Sequence, residues 1–270
     1  MPEGPEVRIL VDQLNKVLKN KTLNEFIIKS GRYTKKLPDG YNNFIENLPL
    51  KIQEVKCKGK FIYFVMENNF YIFNTLGMTG GWKNKISEKY DHIHFVTNSI
   101  TLYFNDYRNF GTFKFIDDKS KLDKKLKELG NDILSDEFSE EYFLKLFNKK
   151  INQNKTLPQV LMNQKLFCGL GNYLKSEVLY ASKISPHRLV SDLSEQEKKN
   201  LFNNIKSIGM KSYKNGGASV RDFSDMDNEK GLYTSILKVY FNKTDPMGNK
   251  VIKETTKDKR TTHWVKEVQI

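Results

Sequence analysis

The residues best suited to chemistry lie at the N-terminus, where an unusual amine stands next to two carboxylates. Residues 1–8 read Met-Pro-Glu-Gly-Pro-Glu-Val-Arg, so removal of the initiator Met would leave Pro2 as a secondary amine beside Glu3 and Glu6. An α-amino group has a reference pKa of about 7.8, against about 10.4 for lysine, so more of it is nucleophilic free base near neutral pH. Pro2 is therefore a candidate nucleophile for Schiff-base chemistry.

A helix has to hold these groups in place. Pro5 suits the first helical turn, because its fixed φ fits that position and its missing N–H is not needed there. Apolar residues then recur at three- and four-residue spacing, which predicts one buried stripe. The stripe consists of Val7, Leu10, Val11, Leu14 and Leu18. Glu3 and Glu6 fall in or beside the first turn, where the helix dipole favours anions. Taken alone, this pattern favours an ordinary capped helix start without chemistry.

The composition indicates a polyanionic partner. The 270 residues leave room for two domains, and the net charge of +13 with a pI near 9.4 is typical of nucleic-acid binding. The same charge would also suit a membrane surface or simple solubility. Without a membrane-length apolar run or a signal-type segment, we expect an intracellular protein with access to DNA, in nucleus or cytoplasm. Cys57 and Cys168 alone predict neither disulfides nor a cysteine zinc site.

Residues 22–116 are typical of short strands separated by turns, with apolar residues at both alternating positions in many runs. Two packed sheets would explain this pattern. Asn68-Asn69 suits a tight hairpin turn. The predicted strands are 22–28, 51–57, 61–66, 71–74, 92–97, 100–104 and 112–116. His92 and His94 share a strand face, but two histidines without a third ligand favour ordinary strand positions over a metal site.

The second half is predicted to be mostly helical, after a charged linker or surface helix at 117–130. Helices are expected at 139–150, 157–165 and 191–214, with a further helix beginning near Asn172, which can cap it. The turn at 169–171 follows a helix and lacks a third glycine, so it is not a dinucleotide fingerprint. Backbone amides at such a turn, ahead of a helix, suit a phosphate.

The N-terminal motif, the run from Leu161-Met162 to Lys165 and the Gly169-x-Gly171-Asn172 turn together resemble the formamidopyrimidine-DNA glycosylase/endonuclease VIII family. The resemblance spans nearly the whole chain. It implies an α+β fold: an N-terminal β-sandwich with an N-terminal helix, then a helical domain with a helix-two-turns-helix and a β-hairpin finger. We place the catalytic domain at 1–117, a linker at 118–135, the DNA-binding domain at 136–228 and the finger at 229–270.

In that family the terminal proline attacks the sugar of a damaged nucleotide and the next glutamate is the acid/base. The resemblance assigns these roles to Pro2 and Glu3, with Glu6 as a supporting acid. It also assigns Lys60, at the head of a strand, to a phosphate near the lesion. Thr75 stands where many bacterial members carry a histidine, so one phosphate contact is expected to be lost.

Further roles follow from the resemblance. Met78, Arg108 and Phe110 lie on two glycine-bounded loops and would fill the gap left by a rotated-out nucleotide, as apolar wedges and a donor to the orphaned base. Lys165 and Asn172 would contact phosphates around the lesion. Residues 216–223 resemble the segment that borders the lesion pocket in bacterial formamidopyrimidine enzymes.

The C-terminal residues retain the pattern of a finger but contain no cysteine after Cys168. Strands are predicted at 235–241 and 250–255, with a turn at 245–248 between them and a basic segment at 259–265. This resembles the zincless finger of plant and giant-virus members, where hydrophobic packing replaces the metal. The resemblance assigns Arg260 to the phosphate at the lesion.

The function implied is a bifunctional DNA glycosylase/AP lyase that removes oxidised pyrimidines, hydantoins and formamidopyrimidines from double-stranded DNA and also cleaves abasic sites. It would act as a monomer, without a cofactor or a membrane. A catalytically silent DNA-binding protein on the same scaffold would have the same basic charge and phosphate loops. Pro2-Glu3 distinguishes the two, because binding alone does not require it.

We predict that folding and excision are independent of zinc, since the finger lacks the thiolates that a structural site would need. Chelator treatment should change neither the melting temperature nor the excision rate. Stoichiometric zinc in the purified protein, or inactivation by the chelator, would contradict the metal-free interpretation of the C-terminus.

Overall fold

The computed structural model describes residues 2–87, 89–219 and 224–270. The chain divides into two compact units. The first contains Met1–Glu128 and Gly216–Leu232, and the second contains Leu129–Asn215 and Tyr233–Ile270. The finer division made from the sequence, with a linker at 118–135, stays a prediction. Within the described ranges, no helix is long and apolar enough to cross a membrane.

The first unit is built on a β-sandwich. Its eight strands are β1 Thr22–Ile28, β2 Leu50–Lys58, β3 Phe61–Met66, β4 Tyr71–Thr75, β5 Gly81–Lys83, β6 Asp91–Thr97, β7 Thr101–Asn105 and β8 Thr112–Ile116. They are hydrogen-bonded in the order β5-β7-β6-β1-β2-β3-β4-β8. Because β1 and β2 pair only around Thr22–Leu23, the sheet folds there into two halves. The predicted strands and the α+β fold are confirmed.

Aromatic side chains fill the space between the two halves of the sheet. Trp82 of β5 is fully buried and packs against Phe64 of β3 with ring centroids 5.6 Å apart. Its indole Nε1 donates to Asn74 Oδ1 at 3.1 Å, so the polar atom of this large side chain is satisfied inside the core. The predicted hairpin turn is also confirmed, since Asn68 and Asn69 both have positive φ between β3 and β4.

Helix α1, Gly4–Leu18, packs its predicted apolar stripe against the sandwich. The side chain of Asn15 further fixes it, because its amide donates to Val55 O at 2.6 Å and its carbonyl oxygen accepts from Val55 N at 2.8 Å. The side chain therefore pairs with β2 as a neighbouring strand would. Two other helices belong to this unit, α2 Tyr41–Glu46, which the sequence did not indicate, and α3 Lys119–Lys127, within the predicted surface segment.

The second unit is mainly helical. Its helices are α4 Glu140–Phe147, α5 Lys150–Gln153, α6 Leu157–Leu161, α7 Asn172–Ala181 and α8 Glu195–Lys214, with a two-residue parallel pair of β9 Asn131–Asp132 and β10 Phe167–Cys168. Buried phenylalanine rings of α4, β10 and α8 pack together in its core. Helices α6 and α7, with the turns between them, form the predicted helix-two-turns-helix. Helix α6 ends at Leu161, four residues before the predicted end, because Asn163 Oδ1 accepts from Lys165 N and closes a turn there.

The C-terminal hairpin consists of β11 Ile252–Thr255 and β12 Thr261–Trp264, and the turn at Asp245 is present. The strand predicted at 235–241 is wrong. A short 3-10 helix occupies Tyr233–Ile236, and the amides of residues 238–240 all donate to the carboxylate of Glu177 at 2.8–2.9 Å. Those amides are therefore not available to a neighbouring strand.

An ion pair holds the start of α8. Arg188 donates through both terminal nitrogens to the carboxylate of Glu197, which also accepts from the backbone N–H of Ser194. The hydrogen bonds from Arg188 lower the pKa of Glu197 from 4.5 to about 2. A carboxyl group whose pKa falls on folding stabilises the folded state above its unfolded pKa, and this contribution is lost as pH falls towards the folded pKa.

We predict that Glu197→Gln lowers the free energy of unfolding by about 1 kcal/mol at neutral pH, the scale of a partly exposed ion pair. The difference from wild type should shrink as pH falls from 4.5 towards about 2, the interval over which Glu197 loses its contribution. Urea unfolding across that range measures it, with the exposed Glu46→Gln as control. A difference that stays constant with pH would show that the charge of Glu197 is not what stabilises the helix.

Candidate active site and nucleic-acid interface

In the first unit, α1 begins at a fully enclosed cluster of backbone and carboxylate groups. Pro2, Glu3 and Glu6 are all buried, with Glu3 3% and Glu6 1% exposed. Glu6 Oε2 accepts from Glu3 N at 2.8 Å, and Glu6 Oε1 accepts from Ala218 N at 2.7 Å. Charge-assisted bonds of this kind are strong and directional. The carboxylate of Glu6 therefore joins the start of the helix to a segment more than two hundred residues away in the chain.

Gly217 is required for this contact. Its φ is +79°, and an added Cβ would lie 2.8 Å from Glu6 Oε1 and 2.9 Å from Glu6 Cγ. Since both oxygens of Glu6 are already bonded, that side chain cannot move away without losing a hydrogen bond. Of the predicted pocket segment 216–223, the described part ends at Ser219, and residues 220–223 lie outside the described residues.

The 224–229 stretch is attached to the sandwich beyond that gap. Lys83 Nζ donates to Ser224 Oγ at 2.6 Å and to Asp225 O at 2.5 Å, and Gln13 of α1 donates to Asp225 Oδ2 at 2.7 Å. Burial lowers the pKa of Lys83, against the opposing effect of Asp225. Met226 is 3% exposed and belongs to the core of the sandwich. The segment is thus part of the first unit.

Two loops at one end of the sandwich carry Met78, Arg108 and Phe110, and the structure brings the three together. Arg108 Nη1 lies 3.1 Å from Met78 Sδ, and the Arg108 guanidinium lies over the Phe110 ring at 5.1 Å from its centroid. Phe110 is 51% exposed, which is unusual for so large an apolar side chain. The loops therefore present an apolar and cationic surface to solvent.

Asp106 holds these loops and was not indicated by the sequence. Its side chain is buried, with 1% of the residue exposed. One carboxylate oxygen accepts from Thr79 Oγ1, and also from Arg108 N at 3.3 Å. The other oxygen accepts from Gly111 N at 2.6 Å. His92 supports the same residue, because its Nε2 donates to Asp106 O at 2.9 Å. An aspartate at the start of a glycine-bounded loop was the only sequence signal for this role.

Lys60 and Thr75 both lie at the ends of strands of the sandwich. Lys60 occupies the turn between β2 and β3, next to Gly59 with φ +58°, and is half-buried. Thr75 ends β4 and its hydroxyl lies 2.6 Å from that of Thr112 on β8. Thr75 therefore bonds across the sheet.

In the second unit, the predicted cap at Asn172 is wrong. Gly171 is the N-cap of α7, and the Asn172 side chain instead donates to Thr261 O of the hairpin at 2.8 Å. Its Oδ1 is buried and has no hydrogen-bond partner among the residues that the structure describes.

The turns before α7 are organised by Gln164. Its Oε1 accepts from Gly169 N at 3.1 Å and its Nε2 donates to Leu170 O at 2.9 Å. The Gly169 amide, proposed from sequence as part of a phosphate site, is therefore already used within the protein. Lys165 lies in the same turn with an exposed side chain.

Arg260 lies directly before β12 with an exposed side chain. In the same turn Thr256 N donates to Arg260 O at 3.1 Å and closes the hairpin.

The base of the finger is held by Asp245. Its carboxylate accepts from Met247 N, Asn249 N and the Tyr180 hydroxyl at 2.8–3.0 Å. Burial and this contact raise the pKa of Tyr180 to about 12.

Valines complete the base of the finger. Val239, Val251 and Val265 are buried together against Tyr180, with Val268 beside them. Among residues 2–87, 89–219 and 224–270, no group of three or more histidine, cysteine or acidic side chains is arranged to hold a metal ion.

Comparison with known proteins covers almost the whole chain. Family profiles of the formamidopyrimidine-DNA glycosylase N-terminal domain, H2TH domain and C-terminal domain match residues 1–113, 129–224 and 235–270. A formamidopyrimidine-DNA glycosylase of Mycoplasma mobile is 30% identical over 100% of this chain and 99% of its own length. One from Streptococcus agalactiae is 33% identical over 89% of this chain and 88% of its own.

Solved structures agree. The MutM (Fpg) protein of Thermus thermophilus superposes with a TM-score of 0.86 at 25% identity, covering 99% of this chain and 98% of that one. A Lactococcus lactis Fpg mutant in complex with Fapy-dG-containing DNA has a TM-score of 0.87 at 27% identity, covering 99% of both chains. The chain therefore belongs to the formamidopyrimidine-DNA glycosylase family, whose members are DNA glycosylases of base-excision repair.

Proposed function

We propose that this protein is a bifunctional DNA glycosylase/AP lyase that removes oxidised bases from duplex DNA. The observation that carries the proposal is the buried start of α1, where Pro2 and Glu3 adjoin a Glu6 carboxylate fixed by two backbone amides. Such rigid positioning of a nucleophile and an acid is what covalent catalysis needs. A purely DNA-binding protein would have no use for it.

The reaction would run through the amine of Pro2. Its nitrogen attacks C1′ of the damaged nucleotide, the C1′–N bond to the base breaks, and the base leaves with a proton. The Pro2 nitrogen gives up its N–H proton, and Glu3 protonates O4′ as the sugar ring opens, which yields an iminium ion between Pro2 and C1′. Loss of a C2′ proton then expels the 3′-phosphate by β-elimination, and δ-elimination expels the 5′-phosphate. Glu6 would hold the helix start and Glu3 in position.

DNA recognition would use both units. We assign Met78, Arg108 and Phe110 to the space vacated by the rotated-out nucleotide, because they form one exposed apolar and cationic cluster. Lys60, Lys165, Asn172 and Arg260 would contact phosphates. Formamidopyrimidines and abasic sites are proposed as substrates because Lactococcus lactis Fpg proteins are seen with Fapy-dG and abasic-site DNA. Oxidised pyrimidines and hydantoins are proposed only from the resemblance to zincless members of the family.

The finger would work without zinc. Asp245 fixes its turn through backbone amides and the buried valines pack against Tyr180, so both tasks of a structural metal, closing the turn and forming a small core, have other groups to perform them. We further propose a monomer that acts wherever the genome is held, in nucleus or cytoplasm, with the domain division given above.

The nucleophile is tested by trapping. With borohydride, a lesion duplex should become covalently attached to the protein, because reduction of the imine prevents its hydrolysis. Peptide mapping should place the adduct on the N-terminal Pro2. An adduct on Lys60, or full activity in protein that retains Met1, would refute the assignment, and no adduct together with intact DNA binding would favour the silent binding protein.

The Glu6 contact is tested at the neighbouring glycines. Gly217→Ala should lower single-turnover excision by about a hundredfold, because the new Cβ displaces the Glu6 carboxylate and small misplacements at a reacting centre are costly. Gly216→Ala is the matched control, since its φ is +75° but its Cβ would lie at ordinary contact distances, 3.4 Å from Gly231 Cα and 4.0 Å from Leu232 N. Equal losses in the two variants would show that backbone strain, rather than the Glu6 contact, is responsible.

A further inference from the structure

One face of α7 is bonded to the C-terminal hairpin at three points. Asn172 Nδ2 donates to Thr261 O at 2.8 Å, Lys175 Nζ donates to Asp258 Oδ2 at 2.8 Å, and Ser176 Oγ accepts from His263 N at 3.2 Å. Residues three and four apart share a helix face, so these contacts form a single row. The hairpin is thereby placed against the helix that begins with Asn172.

The middle contact is a buried ion pair. The side chains of Lys175 and Asp258 are 0% and 4% exposed. Removing two charges from water is costly, and an apolar pair of similar volume would often stabilise a fold at least as well. What an ion pair provides and apolar packing does not is a fixed distance and direction between two atoms. We therefore expect this ion pair to fix the position of the hairpin relative to α7.

The second oxygen of Asp258 points to that role. Oδ1 accepts from Thr256 Oγ1 at 2.5 Å and from the backbone N–H of Arg260 at 3.4 Å. The carboxylate that Lys175 binds is therefore the same group that contacts the backbone of Arg260. The turn is tight, with Lys259 at φ +61° and Lys259 N donating to Thr256 O at 2.8 Å.

We propose that the Lys175–Asp258 pair is a positioning device for Arg260, which it fixes relative to Asn172 so that both side chains meet the distorted phosphates together. Lys175 touches no DNA in this scheme and acts only through Asp258 and the turn. The inference rests on the proposed function of Arg260 as a phosphate ligand at the lesion. It adds to that function a buried lysine on the helix-two-turns-helix that controls the tip of the finger.

The test is a cycle of variants in the full-length protein. Lys175→Met with Asp258→Asn removes both charges together and leaves no unpaired one. In the wild-type background this double variant should lower single-turnover excision from a lesion duplex by about tenfold, since the phosphate ligand is displaced. In an Arg260→Ala background the same double variant should have no further effect. Affinity for undamaged duplex at matched salt should stay within about twofold, because many basic groups contribute to nonspecific binding of the phosphate backbone.

Lys198→Met is the matched control. Lys198 is also a buried lysine of the second unit, 7% exposed, and its Nζ donates to Glu195 Oε1 at 2.7 Å and to Asn148 Oδ1 at 2.9 Å. Its loss should leave excision unchanged or change it equally in both backgrounds. Should the double variant not fold, Lys175→Arg enters the same cycle, because it keeps the charge but moves its donor atoms.

The outcomes separate the two ideas. Normal excision by the Lys175 variants, or an equal loss with and without Arg260, would overturn the positioning role while Arg260→Ala remained slow. Normal excision by Arg260→Ala alone would instead remove the proposed function of Arg260.

Discussion

Buried carboxylates that accept backbone N–H groups hold the irregular segments of this protein. A buried amide without a partner is costly, and a segment outside a helix or sheet has no regular neighbour to supply one. Glu6 supplies it to the 216–219 segment, Asp106 to the loop of residues 108–111, and Glu177 to residues 238–240. Asp245 and Asp258 do the same within the finger. Two of these acids fix segments that carry candidate site residues: Asp106 holds the loop of Arg108 and Phe110, and Asp258 contacts the backbone of Arg260.

In this basic protein the buried acids and the exposed basic residues have different roles. The chain has 45 basic and 32 acidic residues, and a few of the acids are placed inside, on backbone amides. The candidate DNA ligand Arg260 has an exposed side chain on a turn that the Asp258 carboxylate helps to fix, whereas the exposed Lys165 lies on a turn closed by the neutral side chain of Asn163. Burial raises the pKa of Glu177, and the hydrogen bonds from its three amide donors act in the opposite direction. Specific geometry therefore comes from enclosed anions, whereas general attraction for a polyanion comes from exposed cations.

Much of the fold could be predicted because its signals are local. Alternating apolar runs placed the strands of the sandwich, and the spacing from Val7 to Leu18 placed α1. The errors occurred where a distant side chain decides the local structure. The 235–241 run has strand-like composition, but Glu177 binds its amides, and Asn172 resembles a cap but bonds to the hairpin.

The candidate site shows the same limit. The N-terminal motif and the two loops that carry Met78, Arg108 and Phe110 were visible as short patterns, and the structure brings these three side chains together. The residues that hold them were not visible. Asp106, Lys175 and Asp258 act through partners far along the chain or through burial, neither of which a single sequence displays. The assigned roles of the site residues remain proposals.

The return of residues 216–232 to the first unit has a consequence for biosynthesis. Met226 belongs to the core of the sandwich, and Ala218 completes the bonding of Glu6, yet both are translated after the whole of residues 129–215. Domains otherwise fold in order as they leave the ribosome. A nascent chain that ended at residue 128 would have the amine and the acids of its N-terminus but not the segment that immobilises them. The proposed catalytic end of this protein is therefore assembled late, when most of the chain has been translated.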